Sequence, residues 1–478
     1  MPAKKGKRSN KSKLESKLAM KKVWCWDKLS ESKRKTIFKF SEEYKDFLTS
    51  AKTEREAVFV LRDYLEKKGY QSIDKIKSVK AGTKLYIINR NKSMIIARFG
   101  KEPLDKGLNI ITSHIDAPRL DLKQHPLYED GETKLALLKT HYYGGIKKYQ
   151  WVNTPLAIHG NVVKSDGKIV DIKIGDNPTD PVFVIADLLP HLYRAKQAKR
   201  KLPEGIKGEE LNVLVGSQPV KEKAAKQKVK LWVLDYLNKK YGMVEEDFVS
   251  ADLEIVPAEV PRDIGFDKSM IGAYGQDDRI CVYTSVRAIV DGSVPKRTSI
   301  CVLYDREEIG SEGFSSARSK FFENAVGDLI GLKDKNYRDS YLRKVLENSR
   351  ALSSDVNAGI NPIFPDVHEK RNAARLGYGL VITKFTGSGG KYGASEASAE
   401  FVGEIRNLFN KNKIPWQSAE LGKVDEGGGG TVAKHIAIYN MDVLDCGPPV
   451  LSMHSPFEIS SKLDVYSTYE AYMAFYKN

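Results

Sequence analysis

Long apolar runs are missing from this chain. No stretch approaches the roughly 18 uninterrupted apolar residues that a membrane helix needs. The opening MPAKKGKRSNKSKLESKLAMKK is basic and holds neither the apolar segment of a secretory signal nor an evident anchor, so the expected location is cytoplasmic. Cysteine is scarce. Cys25, Cys281, Cys301 and Cys446 are scattered, with no C-x-x-C pair, which excludes a disulfide framework or a zinc knuckle and leaves reduced, buried thiols. Phosphate-binding loops are absent as well. Gly387-Ser388-Gly389-Gly390-Lys391 is no Walker loop, because Tyr392 follows the lysine and Phe385 stands where the first glycine is required. Gly427–Gly430 lacks the G-x-G-x-x-G spacing and the strand before it. Both read as loops that allow close backbone approach. No helix-turn-helix signal and no basic sheet motif interleaved with aromatics is found, which argues against nucleic acid as a partner.

What is present describes a globular protein. Of 478 residues, 41% are hydrophobic and 29% charged, a soluble composition in a chain long enough for two domains. Net charge is +16. Part of it lies in the first 22 residues, where Lys4, Lys5, Lys7, Arg8, Lys11, Lys13, Lys17, Lys21 and Lys22 face the single acid Glu15. That pattern reads as a mobile, solvated arm over residues 1–25.

Periodicity divides the remainder. Ser30 to Lys68 has apolar residues at helical spacing and stops at Gly69. Lys84–Asn89, Ser93–Phe99 and Leu108–Ser113 read as strands, the last running directly into His114. From about Leu122 to Ile255 the texture changes. Lys148–Val152, Leu156–His159 and Ile169–Ile174 read as short strands between Gly and Asp turns, followed by a polar stretch and an amphipathic helix over Lys228–Lys240. This block, 122–256, reads as an insertion between catalytic segments 26–121 and 257–478. The last portion alternates. Ser299–Tyr304, Leu380–Lys384 and Ile436–Asn440 are expected strands, and Tyr341–Glu347, Glu396–Asn410 and Val465–Tyr476 are expected helices. Such alternation implies an α/β sheet with helices on its faces.

Several His, Asp and Glu residues fall at expected strand ends, where open α/β sheets place their sites. In T-S-H-I-D-A-P, residues two apart point the same way, so the Asp116 carboxylate can fix the tautomer of His114; chance surface residues would look the same. In G-Q-D-D-R, Asp277 and Asp278 are either a salt-bridged turn or a carboxylate that bridges two cations. In Y-D-R-E-E-I-G-S-E, acids crowd the end of the apolar strand Ser299–Tyr304. They are either a solvated helix start or a divided pair, one Glu holding metal and its neighbour acting as general base on a bound water. Asp355 sits among small residues, and His454 in L-S-M-H-S is either a satisfied core histidine or a ligand. Together these residues supply two histidines and three carboxylates, with one Glu spare. That donor mix suits zinc, manganese or cobalt rather than magnesium or calcium, and its composition is that of a two-metal hydrolase.

The order and wording of the five motifs resemble the aspartyl aminopeptidase and aminopeptidase I family of dinuclear-metal aminopeptidases, in its bacterial type. The resemblance runs from about residue 35 onward. It implies a mixed-sheet, phosphorylase/hydrolase-like catalytic domain with an inserted, mainly β dimerisation domain. It implies hydrolysis of an acidic or neutral N-terminal residue from short peptides, with two divalent ions per subunit, zinc foremost and cobalt or manganese as alternatives. One ion would be held by His114, Asp277 and Asp355, and the other by Asp277, Glu308 and His454. Glu307 would be the general base, and Asp116 would orient His114. His159, in L-A-I-H, would reach a neighbouring subunit's site and stabilise the intermediate. Lys384, and Gly429 and Thr431 in the glycine-rich stretch, would contact substrate. Dimers would assemble into a dodecamer. Two other readings are a related metal-dependent N-deacylase and a non-catalytic binding protein that uses its basic arm.

Overall fold

The computed structural model describes residues 13–20 and 23–478. The expected arm lies mostly outside the described residues; within it Lys13–Leu18 is a short helix. Chain anchoring is evident at Cys25, whose N–H donates to the Gly377 carbonyl, and at Trp26, buried with Ile37 and Leu463. The helical run read over 30–68 is two helices, Glu31–Ser50 and Glu54–Lys67. The break is chemical. Thr53 accepts from the Glu56 N–H while Glu56 accepts from the Thr53 N–H, a reciprocal cap that starts a new helix.

These helices cover a nine-stranded mixed sheet. Its order is Gln71–Ser72, Lys84–Asn89, Ser93–Arg98, Ser299–Tyr304, Asn109–His114, Arg350–Ser353, Asp442–Gly447, Leu380–Thr383 and Trp416–Ser418. The four central strands, Ser299–Tyr304 through Asp442–Gly447, run parallel, with Tyr304 beside His114 and Ser353 beside Asp445. Ser93–Arg98 and Leu380–Thr383 flank them antiparallel. Alternate residues feed opposite cores. Ile111, Cys301, Leu352 and Leu444 pack with helices Glu31–Ser50, Glu54–Lys67, Gln276–Asp291, Ala399–Lys411 and Lys462–Lys477. Ile110, Ile300, Val302 and Ala351 pack with Phe321–Gly331, Asp339–Glu347 and Ala433–Ala437.

A second, six-stranded sheet takes all its strands from between Arg119 and Pro257. Its order is Ile169–Ile174, Leu156–Val163, Ala251–Pro257, Arg119–Glu129, Ala136–Tyr143 and Asn212–Gly216, all antiparallel. Helix Lys228–Tyr241 packs Val229 and Val233 into its core. A five-stranded sheet, which includes Met270–Ala273 and Glu458–Ser461, lies next to the site.

Two strand expectations fail. Lys148–Val152 holds a single 3-10 turn, Lys148–Gln150. In place of a strand at Ile436–Asn440 there is helix Ala433–Ala437, with Val432, Ala433 and Ile436 buried at helical spacing; Asn440 turns the chain at φ +62° into strand Asp442–Gly447. Arg119–Glu129 and Ala136–Tyr143 were not anticipated, and the β block starts at Arg119, five residues after His114. Among the described residues no helix is long and apolar enough to cross a membrane.

Candidate metal centre and active site

The parallel strands deliver their C-terminal ends to one place. His114 ends its strand with Nδ1 3.0 Å from the Asp116 carbonyl oxygen. A carbonyl oxygen only accepts, so Nδ1 carries a proton, and in the neutral ring Nε2 keeps its lone pair. That Nε2 faces Asp277 Oδ1 at 3.1 Å and Asp355 Oδ1 at 3.9 Å. His454 repeats the arrangement. Its Nδ1 donates to the Gly145 carbonyl at 2.9 Å, and its Nε2 lies 3.3 Å from both Asp277 Oδ2 and Glu308 Oε2. The two oxygens of Asp277 thus each face one histidine Nε2. Acceptor set against acceptor is repulsive unless a proton or a cation lies between them.

Burial sharpens the conflict. His114, Asp277, Asp278 and Asp116 are at most 3% exposed. Burial, with Asp277 close by, pushes the Glu308 carboxyl well above its usual range. Burial, with Asp278, does the same to Asp355. Glu307 is raised, chiefly by burial. Burial pulls the His114 pKa down, but Asp116 and Asp277 outweigh it and hold the ring well above its ordinary value. Carboxylates this crowded are compensated by protons or by metal. In each of two overlapping donor sets, His114–Asp277–Glu308 and His114–Asp278–Asp355, one ligand atom from every residue lies within 4.8 Å of the others. The chemistry of these donors, imidazole with carboxylate, fits zinc. Among the described residues, Glu308 Oε1 and Asp278 Oδ1 are buried without a hydrogen-bond partner, as free ligand atoms would be.

The Glu307–Ile309 turn follows strand Ser299–Tyr304, entered through Arg306 at φ +68°. Its first two N–H groups donate to Asp116, Glu307 to Oδ1 at 3.1 Å and Glu308 to Oδ2 at 3.2 Å. Asp116 therefore does more than the H-x-D spacing implied. Its carbonyl is the nearer partner of His114 Nδ1, its carboxylate Oδ1 lying 3.4 Å away, and the carboxylate also fixes the turn. Glu458 was invisible to motif reading. Buried at 1% exposure, it accepts the Asp277 N–H at 3.0 Å and the His454 N–H at 2.7 Å, so one carboxylate positions two candidate ligands.

A cavity of about 510 Å³ opens over this cluster. Glu307, Glu308 and His454 line one wall, and Phe385, Gly429 and Thr431 line another. Gly428–Gly429 pairs with Gly387–Ser388 in a small ribbon, and Thr431 donates to Asp445 Oδ1 at 2.6 Å. Two expected residues lie elsewhere. Thr383 lines the cavity, so Lys384 after it points away, its Nζ 3.8 Å from Glu396; Lys391 lines the cavity instead. His159 is not at a strand end. It sits inside Leu156–Val163 with partners on both sides and no exposed surface. Its Nδ1 is 3.0 Å from Glu56 and its Nε2 3.1 Å from Asp176, so neither ring nitrogen is free for a neighbouring site.

The aminopeptidase I zinc metalloprotease family (M18) matches residues 47–476. The chain belongs to this family. It is a metallo-aminopeptidase, a hydrolase. A probable M18 family aminopeptidase 1 of Clostridium acetobutylicum is 51% identical over 458 residues, covering 95% of this chain and 98% of the relative. The crystal structure of an M18 aminopeptidase from Thermotoga maritima superposes with a TM-score of 0.90 at 45% identity, covering 96% of this chain and 99% of that one. That of aminopeptidase I from Clostridium acetobutylicum gives 0.89 at 48% identity, covering 96% and 100%. The mApe1 dodecamer of S. cerevisiae shares the fold, with a TM-score of 0.74 at 24% identity over 92% of this chain and 96% of that one.

Proposed function

We propose that this aminopeptidase removes acidic or neutral N-terminal residues from short peptides at a dinuclear centre whose two ions Asp277 would help to hold. The carrying observation is that the two Asp277 oxygens face the Nε2 atoms of His114 and His454. His114, Asp277 and Asp355 would hold one ion, and Asp277, Glu308 and His454 the other. Two divalent ions, zinc foremost, acidify water and polarise the scissile carbonyl when bound. Glu307, raised in pKa and facing the cavity, takes the proton of the attacking water and returns it to the leaving nitrogen. Asp116 holds Glu307 by its backbone N–H, so the base and His114 share one anchor. The glycine ribbon and Thr431 present main-chain groups to the substrate backbone.

Assembly into a dodecamer is part of the proposal, supported by the yeast fold relative. A cytoplasmic setting is supported by four cysteines that form no disulfide. The test is a panel of X-Ala dipeptides assayed with zinc, cobalt and manganese, each beside its N-acetylated form. Cleavage that requires metal and a free amino terminus is expected. Equal turnover of the acetylated forms would instead identify an N-deacylase.

A further inference from the structure

Two contacts reach the metal centre from the six-stranded sheet. Both come from the end of strand Ala136–Tyr143 and the Gly144–Gly145 turn after it, in the six-stranded sheet. Tyr143 Oη donates to Asp116 Oδ2 at 2.8 Å, shorter than either N–H contact from the Glu307–Glu308 turn. The ring of Tyr143 is itself held. The Arg119 guanidinium lies 4.0 Å from its centroid, and Arg119 is fixed by Glu254 at 3.2 Å and Glu54 at 3.4 Å, all buried. Two residues on, the Gly145 carbonyl takes the Nδ1 proton of His454.

The turn has no slack. Gly144 sits at φ +76°, where a Cβ would lie 3.3 Å from Pro118 and 3.4 Å from the Cβ of Glu308. A Cβ on Gly145 would lie 3.4 Å from His454 Nδ1. One turn of the second sheet therefore touches both histidine systems, one directly and one through Asp116. The Asp116 carboxylate serves two backbone N–H groups and His114, and Tyr143 supplies its one side-chain hydroxyl donor. Without that hydroxyl the carboxylate loses its shortest hydrogen bond and is free to turn, loosening His114 and the Glu307–Glu308 turn together.

We propose that Tyr143 is a positioning residue for the metal centre, acting through Asp116, so that the six-stranded sheet holds the geometry of a site whose candidate ligands all lie outside it. This rests on the roles given above to Asp116 and Glu307. Outer partners of metal ligands change affinity or activity by about 10–100-fold when removed.

The experiment is Tyr143→Phe in the full chain. Metal affinity, read by competition with a chromogenic chelator, is expected to fall about tenfold. The kcat on the best X-Ala dipeptide should fall by a similar factor, with KM within about twofold. In an Asp116→Asn background the same change should have little further effect, since coupled residues are not additive. Parental affinity and kcat in Tyr143→Phe would overturn the proposal, as would full additivity with Asp116→Asn. If Tyr143→Phe does not fold, replacement of Tyr143 by 3-fluorotyrosine keeps ring and hydroxyl but alters the donor. A shift in metal affinity at unchanged Tm then supports the proposal, and no shift overturns it. Glu307→Gln, assayed in parallel, separates the two levels. An inactive Glu307→Gln beside a silent Tyr143→Phe refutes only the positioning role, whereas a fully active Glu307→Gln removes the mechanism beneath it.

Discussion

Glu307 and Glu308 share one anchor and part company at their side chains. Both backbone N–H groups are tied to Asp116, while Glu308 faces His454 and Glu307 faces the cavity. Substituting Glu307 by Gln preserves shape and every ligand, so metal content should stay parental while kcat falls about 10²–10⁴-fold. Asp277→Ala should do the reverse, losing metal by elemental analysis, because both histidines face that one carboxylate. His159 makes a different prediction. Burial lowers its pKa, but Asp176 and Glu56 raise it more. Its charged form therefore stabilises the fold fully below its ordinary pKa of about 6.5, and that contribution is lost as pH rises through the higher folded value. Burial raises Glu56 and Asp176, but contact with His159 lowers both, so their share persists above about pH 4.5 and is lost in stronger acid. His159→Gln should cost on the order of 3 kcal/mol at pH 6, and the loss should shrink toward pH 9. A denaturation series across that range checks it, and unchanged kcat is expected throughout.

At the scale of elements, legibility in the sequence followed the range of the interactions. His114, Asp277, Glu307, Glu308, Asp355 and His454 stood out because acids and histidines cluster at or just beyond strand ends, a local signal. Glu458 and Tyr143 did not, because their partners lie 181 and 27 residues away. Lys384 was misplaced by the parity of a strand, and Ile436–Asn440 by an apolar run too short to separate helix from strand. Close strand contacts give a test at this scale. A Cβ on Gly447 would lie 2.0 Å from the Asp355 carbonyl oxygen, so strand Asp442–Gly447 can lie against the Asp355 segment only without a side chain there. Gly447→Ala should cost about 1–3 kcal/mol by overpacking. It should also displace Asp355, lowering metal stoichiometry at temperatures where circular dichroism remains native.

For the whole molecule, strands of the nine-stranded sheet lead into His114, Glu308 and Asp355, while the segment between strands Ile169–Ile174 and Asn212–Gly216 carries exposed apolar side chains. Val182, Leu189, Leu192 and Leu202 are about half exposed or more. The proposed assembly would cover such side chains. The proposed dodecamer predicts sedimentation as twelve 53.6 kDa chains at micromolar concentration. Leu189→Asp with Leu192→Asp should shift the protein to smaller species while each chain keeps its metal. A monomeric parental protein would refute the assembly.

The strand order has a consequence in time. The strand that ends in His114 is laid between two that come from residues near 300 and 350, and His454 follows a fourth near 445. As a ribosome releases the chain from its N-terminus, the site stays incomplete until the last of these has emerged. The ligand set proposed for the second ion, Asp277, Glu308 and His454, is complete only then. The complete two-ion site therefore forms only near the end of synthesis.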